Sequence, residues 1–141
     1  MTASATLIAV LLAVAVSMPT CSSDKNVDPN KPPGGDYKKE ILITLRKLFE
    51  NNETVAVRDA VISEPQLRQV AGAQRYAACL RYTAQGLEPG LVGHAERIAI
   101  FYGGQVNQVI ETTGGECSGA AYKPFPELNQ VCLGVGCNRR R

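Results

Sequence analysis

The cysteines are the residues of this chain whose type and spacing could do chemistry. Five occur in 141 residues: Cys21 stands alone near the start, and Cys79, Cys117, Cys132 and Cys137 lie in the second half. In an oxidising compartment this set predicts two disulfides and one cysteine with another role. In the cytosol it would favour metal or redox chemistry instead. The compartment therefore decides how the cysteines are interpreted.

An unbroken apolar run, Leu7–Val16, precedes the first charged side chain, Asp24. The run is too short to cross a bilayer as a helix, which takes about 20 residues, but it is typical of a signal peptide. The flank Met1–Thr6 contains no Lys or Arg. We predict an exported chain with a signal peptide at 1–20. The alternative is a buried amino-terminal helix, although the run has no polar helical face.

The segment Met18-Pro19-Thr20-Cys21 resembles the bacterial lipoprotein leader, in which a cysteine after the apolar region is lipidated and becomes the new amino terminus. The resemblance implies an acyl anchor, including palmitate, on Cys21, and two or more acyl chains are what stable anchoring requires. Pro19 and Thr20 depart from the small residue and the Gly or Ala that usually precede the cysteine. The alternative is cleavage after Ala15-Val16-Ser17, which would leave Cys21 as a free thiol.

Residues 22–36 contain three prolines, two glycines and a single apolar side chain, Val27. Such a stretch cannot bury enough surface to offset its ordering entropy. We therefore interpret 21–35 as the lipidated cysteine and a flexible linker. A linker of this length would keep the domain within a few tens of ångströms of the membrane.

The folded part is predicted to begin with an amphipathic helix after Asp36, a candidate N-cap. The apolar residues at helical spacing are Tyr37, Ile41, Leu45, Leu48 and Phe49. We expect this helix to pack on a sheet; its basic polar face leaves membrane-surface binding as the alternative.

Four strands are predicted, over Thr54–Ser63, Arg75–Thr83, Arg97–Tyr102 and Gln105–Thr112. The second alternates, so its even-numbered residues from 76 to 82 should share one face, and its odd-numbered residues from 77 to 81 the other. Gly103-Gly104 is a hairpin signal. A strict two-residue turn would mix polar and apolar residues on both faces. We favour a three-residue loop with a bulge, which would place five side chains on one buried face: Ile98, Ile100, Tyr102, Val106 and Ile110. The predicted fold class is α+β, with one N-terminal amphipathic helix packed on an antiparallel sheet of about four strands, stapled by disulfides.

Two segments between these elements are predicted to be irregular. Gly86–Glu96 is interpreted as a loop whose Leu87, Leu91 and Val92 are candidate partner-binding residues, or else cap the open end of the core. In 114–128, Pro124 and Pro126 argue against a regular helix or a central strand. The apolar side chains of that segment, Tyr122, Phe125 and Leu128, are expected to cover the sheet.

The chain from Asp36 to about Leu128 resembles small uncharacterised envelope lipoproteins of alphaproteobacteria. The residues that carry the resemblance are SEPQLR at 63–68, RYAACLRY at 75–82, RIAIFYGGQVNQVIE at 97–111 and ECSGAAYKPFPEL at 116–128. It implies no activity. Residues from 129 onward fall outside it, so we divide the chain into a globular domain at 36–128 and a Cys-containing basic tail at 129–141.

Three pairings are open to the four later cysteines, and we favour Cys79–Cys117 with Cys132–Cys137. The first would close a loop worth about 4 kcal/mol, and the second a short loop worth about 2 kcal/mol, in the chain-entropy model. The alternatives are a redox or metal pair at Cys132 and Cys137, or a zinc site made of all four. The spacing, however, is C-x4-C, and His94 is the chain's sole histidine.

Charge is balanced, with 15 basic and 13 acidic residues, which gives no reason to expect nucleic-acid binding. Ser118 lies in C-S-G and lacks the G-x-S-x-G context of a hydrolase nucleophile. We predict no enzyme activity, cofactor or metal site. The leading interpretation is a non-catalytic envelope lipoprotein, at the periplasmic face of the outer membrane or in the periplasm, that binds an unidentified envelope protein. The alternatives are a secreted or anchored inhibitor or ligand-binding domain, and a thiol-redox protein. Arg139–Arg141 is either a lipid-binding tail or a solvated end.

Overall fold

The computed structural model describes residues 26–52, 54–86, 92–135 and 137. The predicted signal peptide, Cys21, Leu87, Leu91 and Arg139–Arg141 lie outside the described residues. Within the described part, no helix is both long and apolar enough to span a membrane.

A first helix, α1 (Tyr37–Leu48), packs on the sheet as the spacing of its apolar residues predicts. Ile41 and Leu45 are completely buried against it, and Tyr37 meets Phe101 edge-on with ring centroids 6.2 Å apart. Asp36 occupies the N-cap position but makes no side-chain capping bond. Packing of the apolar stripe, rather than the cap, therefore holds this helix in place.

The sheet is antiparallel, has seven strands and curls into a half-barrel. Its strands are β1 (Val55–Ser63), β2 (Gln66–Val70), β3 (Ala73–Gly86), β4 (Val92–Tyr102), β5 (Gln105–Glu111), β6 (Tyr122–Pro124) and β7 (Cys132–Leu133), with a short helix α2 (Pro126–Asn129) between the last two. The predicted number of elements, about four strands and one helix, was too low. The sequence pattern missed β2 because it is mostly polar, and β6 and β7 because they are very short.

The long central strand β3 pairs with β4 on one side and with β1 followed by β2 on the other. Pairing with β4 continues through Thr83↔His94 and Gln85↔Val92. The predicted loop Gly86–Glu96 is therefore wrong over most of its length, because the two strands extend until only 87–91 separate them. Val92 is therefore the first residue of β4 and not part of a loop.

The β4–β5 hairpin has a different register from the one predicted. Tyr102 pairs directly with Gln105, so Gly103 and Gly104 form a two-residue turn with φ of 61° and 84°, and a bulge follows it. Val106 and Val109 then pack with Phe101 on the α1 side of the sheet, while Ile98 and Ile100 lie on the other side. The predicted single face was wrong, and Tyr102 and Ile110 are exposed.

Each face of the sheet carries its own apolar cluster. The inner face, under α1, includes Ala78, Leu80 and Tyr82 of β3. The outer face is smaller and consists of Val70, Ala77, Cys79, Ile98, Ile100 and Cys117. The alternation predicted for Arg75–Thr83 is confirmed, because even-numbered residues from 78 to 82 face inward and Ala77 and Cys79 face outward.

The free side of β1 is covered by late parts of the chain. A bulge at Asp59, with φ of 54°, frees the backbone of Ala60, whose N–H donates to Asn129 Oδ1 at 2.9 Å and whose carbonyl accepts from Phe125 N at 2.8 Å. The extended segment was predicted without a helix, yet α2 starts at Pro126, since the first helical position needs no N–H. The inner cluster continues to Val131 and Leu133, beyond the boundary suggested at 128.

The last part of the predicted linker lies against the β4–β5 turn. A Cβ on Gly103 would come 2.6 Å from Val27 Cγ1, and one on Gly104 would come 3.0 Å from the Pro32 carbonyl oxygen. The positive φ at both positions favours glycine, and a Cβ at either position would also crowd this segment.

Candidate functional site

One half of the outer face is covered by the loop 112–121, which a disulfide ties to the sheet. Cys79 of β3 and Cys117 of the loop are bonded, with Cα atoms 5.8 Å apart and both side chains buried. Cys132 and Cys137 form the second disulfide. This is the pairing favoured from the sequence. Two disulfides indicate an oxidising compartment outside the cytoplasm.

The disulfide loop is also held by hydrogen bonds. Arg68 of β2 donates from one guanidinium nitrogen, Nη1, to the carbonyl oxygens of Glu116 at 3.0 Å and Ser118 at 3.1 Å. Thr113 Oγ1 donates to Glu116 Oε1 at 2.6 Å, and this bond lowers the pKa of the Glu116 carboxyl. The loop is thus fixed to the sheet by a covalent bond and by a charged side chain.

Beyond the loop, the outer face becomes polar and is organised around an ion pair. Arg81 of β3 pairs with Glu96 of β4, and Thr112 Oγ1 donates to the other Glu96 oxygen, Oε1, at 3.2 Å. The Arg81 guanidinium lies 4.4 Å from the centroid of the Tyr122 ring, within the range of a cation–π contact. Burial raises the pKa of the Tyr122 hydroxyl, and the nearby Glu96 carboxylate raises it further.

The next cross-strand pair along β3 and β4 is Thr83 and His94. Thr83 Oγ1 and His94 Nδ1 are 3.3 Å apart, at the long end of hydrogen-bond distance. Asp59, in the bulge of β1, borders the same shallow surface depression as Thr83 and His94. The pairing of the three strands thus brings a carboxylate, a hydroxyl and an imidazole to one exposed area.

These side chains border two shallow depressions of about 500 Å³ and about 450 Å³, which share Arg81 and Glu96. We call the combined surface the outer-face groove, defined by Arg81, Thr83, His94, Glu96 and Tyr122. The disulfide loop forms one wall of it. A groove with charged groups fixed by neighbours and an aromatic ring at one side is suited to binding, because little side-chain freedom is lost on contact.

The structure brings few of the residues singled out from the sequence into this groove. His94 and Ser118 line different depressions. The Cys132–Cys137 disulfide lies at the β7 edge, where Val135 N donates to Asn52 O at 3.0 Å. Of the three candidate partner-binding residues, the structure describes Val92 alone, and only as backbone of β4.

Sequence reasoning missed Arg81, Glu96 and Thr83 as site residues. A signal was present: Cys79, Arg81 and Thr83 alternate along one strand, so a face that starts apolar turns polar. The pattern could not show that Glu96 lies opposite Arg81, because that segment was interpreted as a loop.

Within the described ranges, no group of three or more His, Cys, Asp or Glu side chains is arranged to hold a metal ion. No family model, curated protein or solved structure matches the chain.

Proposed function

We propose that this chain is a non-catalytic binding module of the bacterial cell envelope, held near the membrane by a lipid on Cys21. In this proposal, the outer-face groove receives an envelope protein. The observation that carries it is the half-covered outer face, in which a disulfide-tied loop shields the apolar end and leaves a prearranged polar end open.

The contacts in the groove support binding rather than catalysis. Arg81 and Glu96 already satisfy each other, and Thr112 and Tyr122 contact one member each. A partner surface that offers a hydrogen-bond acceptor to Arg81 and a donor to Glu96 would replace their mutual contact without leaving either charge unpaired. Such paired charges contribute more to partner selectivity than to affinity.

A lipid on Cys21 would account for the odd cysteine, since the other four pair with one another. It would also place the module where envelope proteins are concentrated. The resemblance to small alphaproteobacterial envelope lipoproteins points to the same location, the outer membrane or the periplasm.

Site-specific photo-crosslinking in the producing cells tests the groove. A photoreactive amino acid replaces Thr83 in one variant, and Gln69, an exposed residue of β2 outside the groove, in the matched control. We expect a discrete protein adduct from position 83 that is absent from position 69 and is lost when Glu96→Arg is added. Equal adduct patterns from both positions, or an adduct insensitive to Glu96→Arg, would contradict the proposed groove.

Intact mass of the mature protein, purified from native membranes, tests the anchor. We expect a chain that starts at Cys21, carries a diacylglyceryl group and contains two disulfides. A chain that starts near Met18 and carries no lipid would rule out this anchoring scheme.

A further inference from the structure

The side of α1 that faces away from the sheet carries a stripe of cations around one apolar residue. Lys39, Ile43, Arg46 and Lys47 follow one another at spacings of four, three and one residues, which places them on one side of the helix. All four are exposed, and Ile43 keeps 55% of its surface accessible. We call these four residues the outer stripe of α1.

Positive charge is concentrated around this helix. Residues 31–47 contain five basic and two acidic side chains, a net charge of +3, whereas the whole chain has a net charge of +2. One of the two acids, Glu40, is turned toward the sheet, where it accepts a hydrogen bond from Val106 N at 2.9 Å. Glu50 is an exposed acid that follows the helix. The remaining residues of the chain together have a net charge of −1 (+2 minus +3), so the surroundings of the outer stripe carry more than the whole net positive charge.

The lipid on Cys21, on which this step rests as part of the proposed function, would place α1 next to the membrane. Val27 lies against the β4–β5 turn, and Phe101 near that turn contacts Tyr37 at the start of α1. Five peptide steps separate Cys21 from Asn26, a reach of at most about 18 Å. An acyl anchor on Cys21 would therefore hold this end of the domain at the lipid surface.

We propose that the outer stripe of α1 lies on anionic lipid headgroups, with Ile43 inserted among them and Lys39, Arg46 and Lys47 paired with phosphates. Both requirements of an interfacial helix are met on one side, an apolar contact and cations around it. The other side of the helix is already buried on the sheet. This proposal does not require a partner in the outer-face groove, so either can fail alone.

A tryptophan reporter tests the contact in the full chain, because the sequence contains no tryptophan. Ile43→Trp places the reporter in the outer stripe. Leu67→Trp is the matched control, since Leu67 is 46% exposed on β2. The strand that bonds to α1 through Val106 is β5, and β2 lies three strands from it, about 14 Å across the sheet. Any attachment through the amino-terminal segment is common to both variants, so only the difference between the two positions counts.

With vesicles that contain phosphatidylglycerol, we expect the emission of Ile43→Trp to shift to shorter wavelength and to be quenched by brominated acyl chains. The Leu67→Trp emission should stay unchanged, and added salt should reverse the effect at position 43. Adding Arg46→Glu and Lys47→Glu should raise the lipid concentration at half-effect by about fivefold or more for each cation lost.

Three results would overturn the proposal. One is an emission at position 43 that does not change with vesicles, or changes as it does at position 67. Another is an equal shift with pure phosphatidylcholine that salt does not affect. The last is a shift that depends on protein concentration without vesicles, which would assign the stripe to contact with a second copy of the chain.

Discussion

At the scale of single residues, Ala71 has a left-handed backbone, with φ of 49°, in the two-residue turn between β2 and β3. Gly72 follows with φ of 79°, so the turn requires positive φ at both positions. A Cβ disfavours this conformation, and Asn tolerates it better than Ala does. We expect Ala71→Asn to raise the free energy of unfolding by about 0.5–1 kcal/mol, measured by urea denaturation.

The matched control for this change is Ala73→Asn, which places the same side chain in β3, where Asn is disfavoured. It should lower the free energy of unfolding. If Ala71→Asn does not raise the free energy of unfolding, or if Ala73→Asn raises it equally, the predicted relief of backbone strain at Ala71 is wrong.

At the scale of elements, the bulge of β1 depends on α2. Asn129 Oδ1 accepts the hydrogen bond of the Ala60 N–H, and Ala60 is almost fully buried. Asn129→Ala leaves this donor without its partner, and we expect a loss of about 1–2 kcal/mol in the free energy of unfolding. Gln130→Ala, at the exposed neighbouring position, should change it by less than about 0.5 kcal/mol. Equal effects of the two substitutions would mean that the bond contributes nothing.

Elements with a strong apolar period could be predicted from the sequence, and those defined by tertiary contacts could not. The stripe of Ile41 and Leu45 predicted α1 and its packing, and alternation in β3 predicted its two faces. The short strands β6 and β7 have no periodic signal and exist because β1 offers an unpaired side. The hairpin register was mispredicted because grouping the isoleucines on one face ignored the second apolar cluster under the disulfide loop.

The outer-face groove was beyond sequence reasoning for a related reason. Its ion pair joins Arg81 to Glu96, and the pairing follows from the β3–β4 register, which no local pattern specifies. The disulfide pairing was predicted from the sequence as the favoured one of the three that four cysteines allow, although spacing alone did not decide among them.

At the scale of the whole molecule, the two disulfides differ in access to solvent. Cys79 and Cys117 are buried, whereas Cys132 is exposed. Under native conditions, mild reduction followed by alkylation and mass spectrometry should label Cys132 and Cys137 first. Cys79 and Cys117 should become labelled only when denaturant is added. Labelling of all four at the same rate would contradict this order.

The same two bonds should differ in their contribution to stability. Replacing Cys79 and Cys117 by Ala should lower the free energy of unfolding by about 4 kcal/mol, and replacing Cys132 and Cys137 by about 2 kcal/mol. Urea denaturation of the two double variants measures both values. A larger loss from the Cys132–Cys137 variant would mean that the short loop stabilises the native state by contacts, since loop entropy favours the longer one.

The free side of β1 is closed by β6, α2 and β7, all of which lie within residues 122–133. In a chain synthesised or exported from its amino terminus, β1 can pair with β3 early, but its other edge at Val61 and Ile62 stays unpaired until residues 122–133 have emerged. Such a strand is a template for pairing with other chains. We therefore expect the complete sheet to form only after residues 122–133 are available, and chains shortened before residue 122 to aggregate instead of forming a smaller native state.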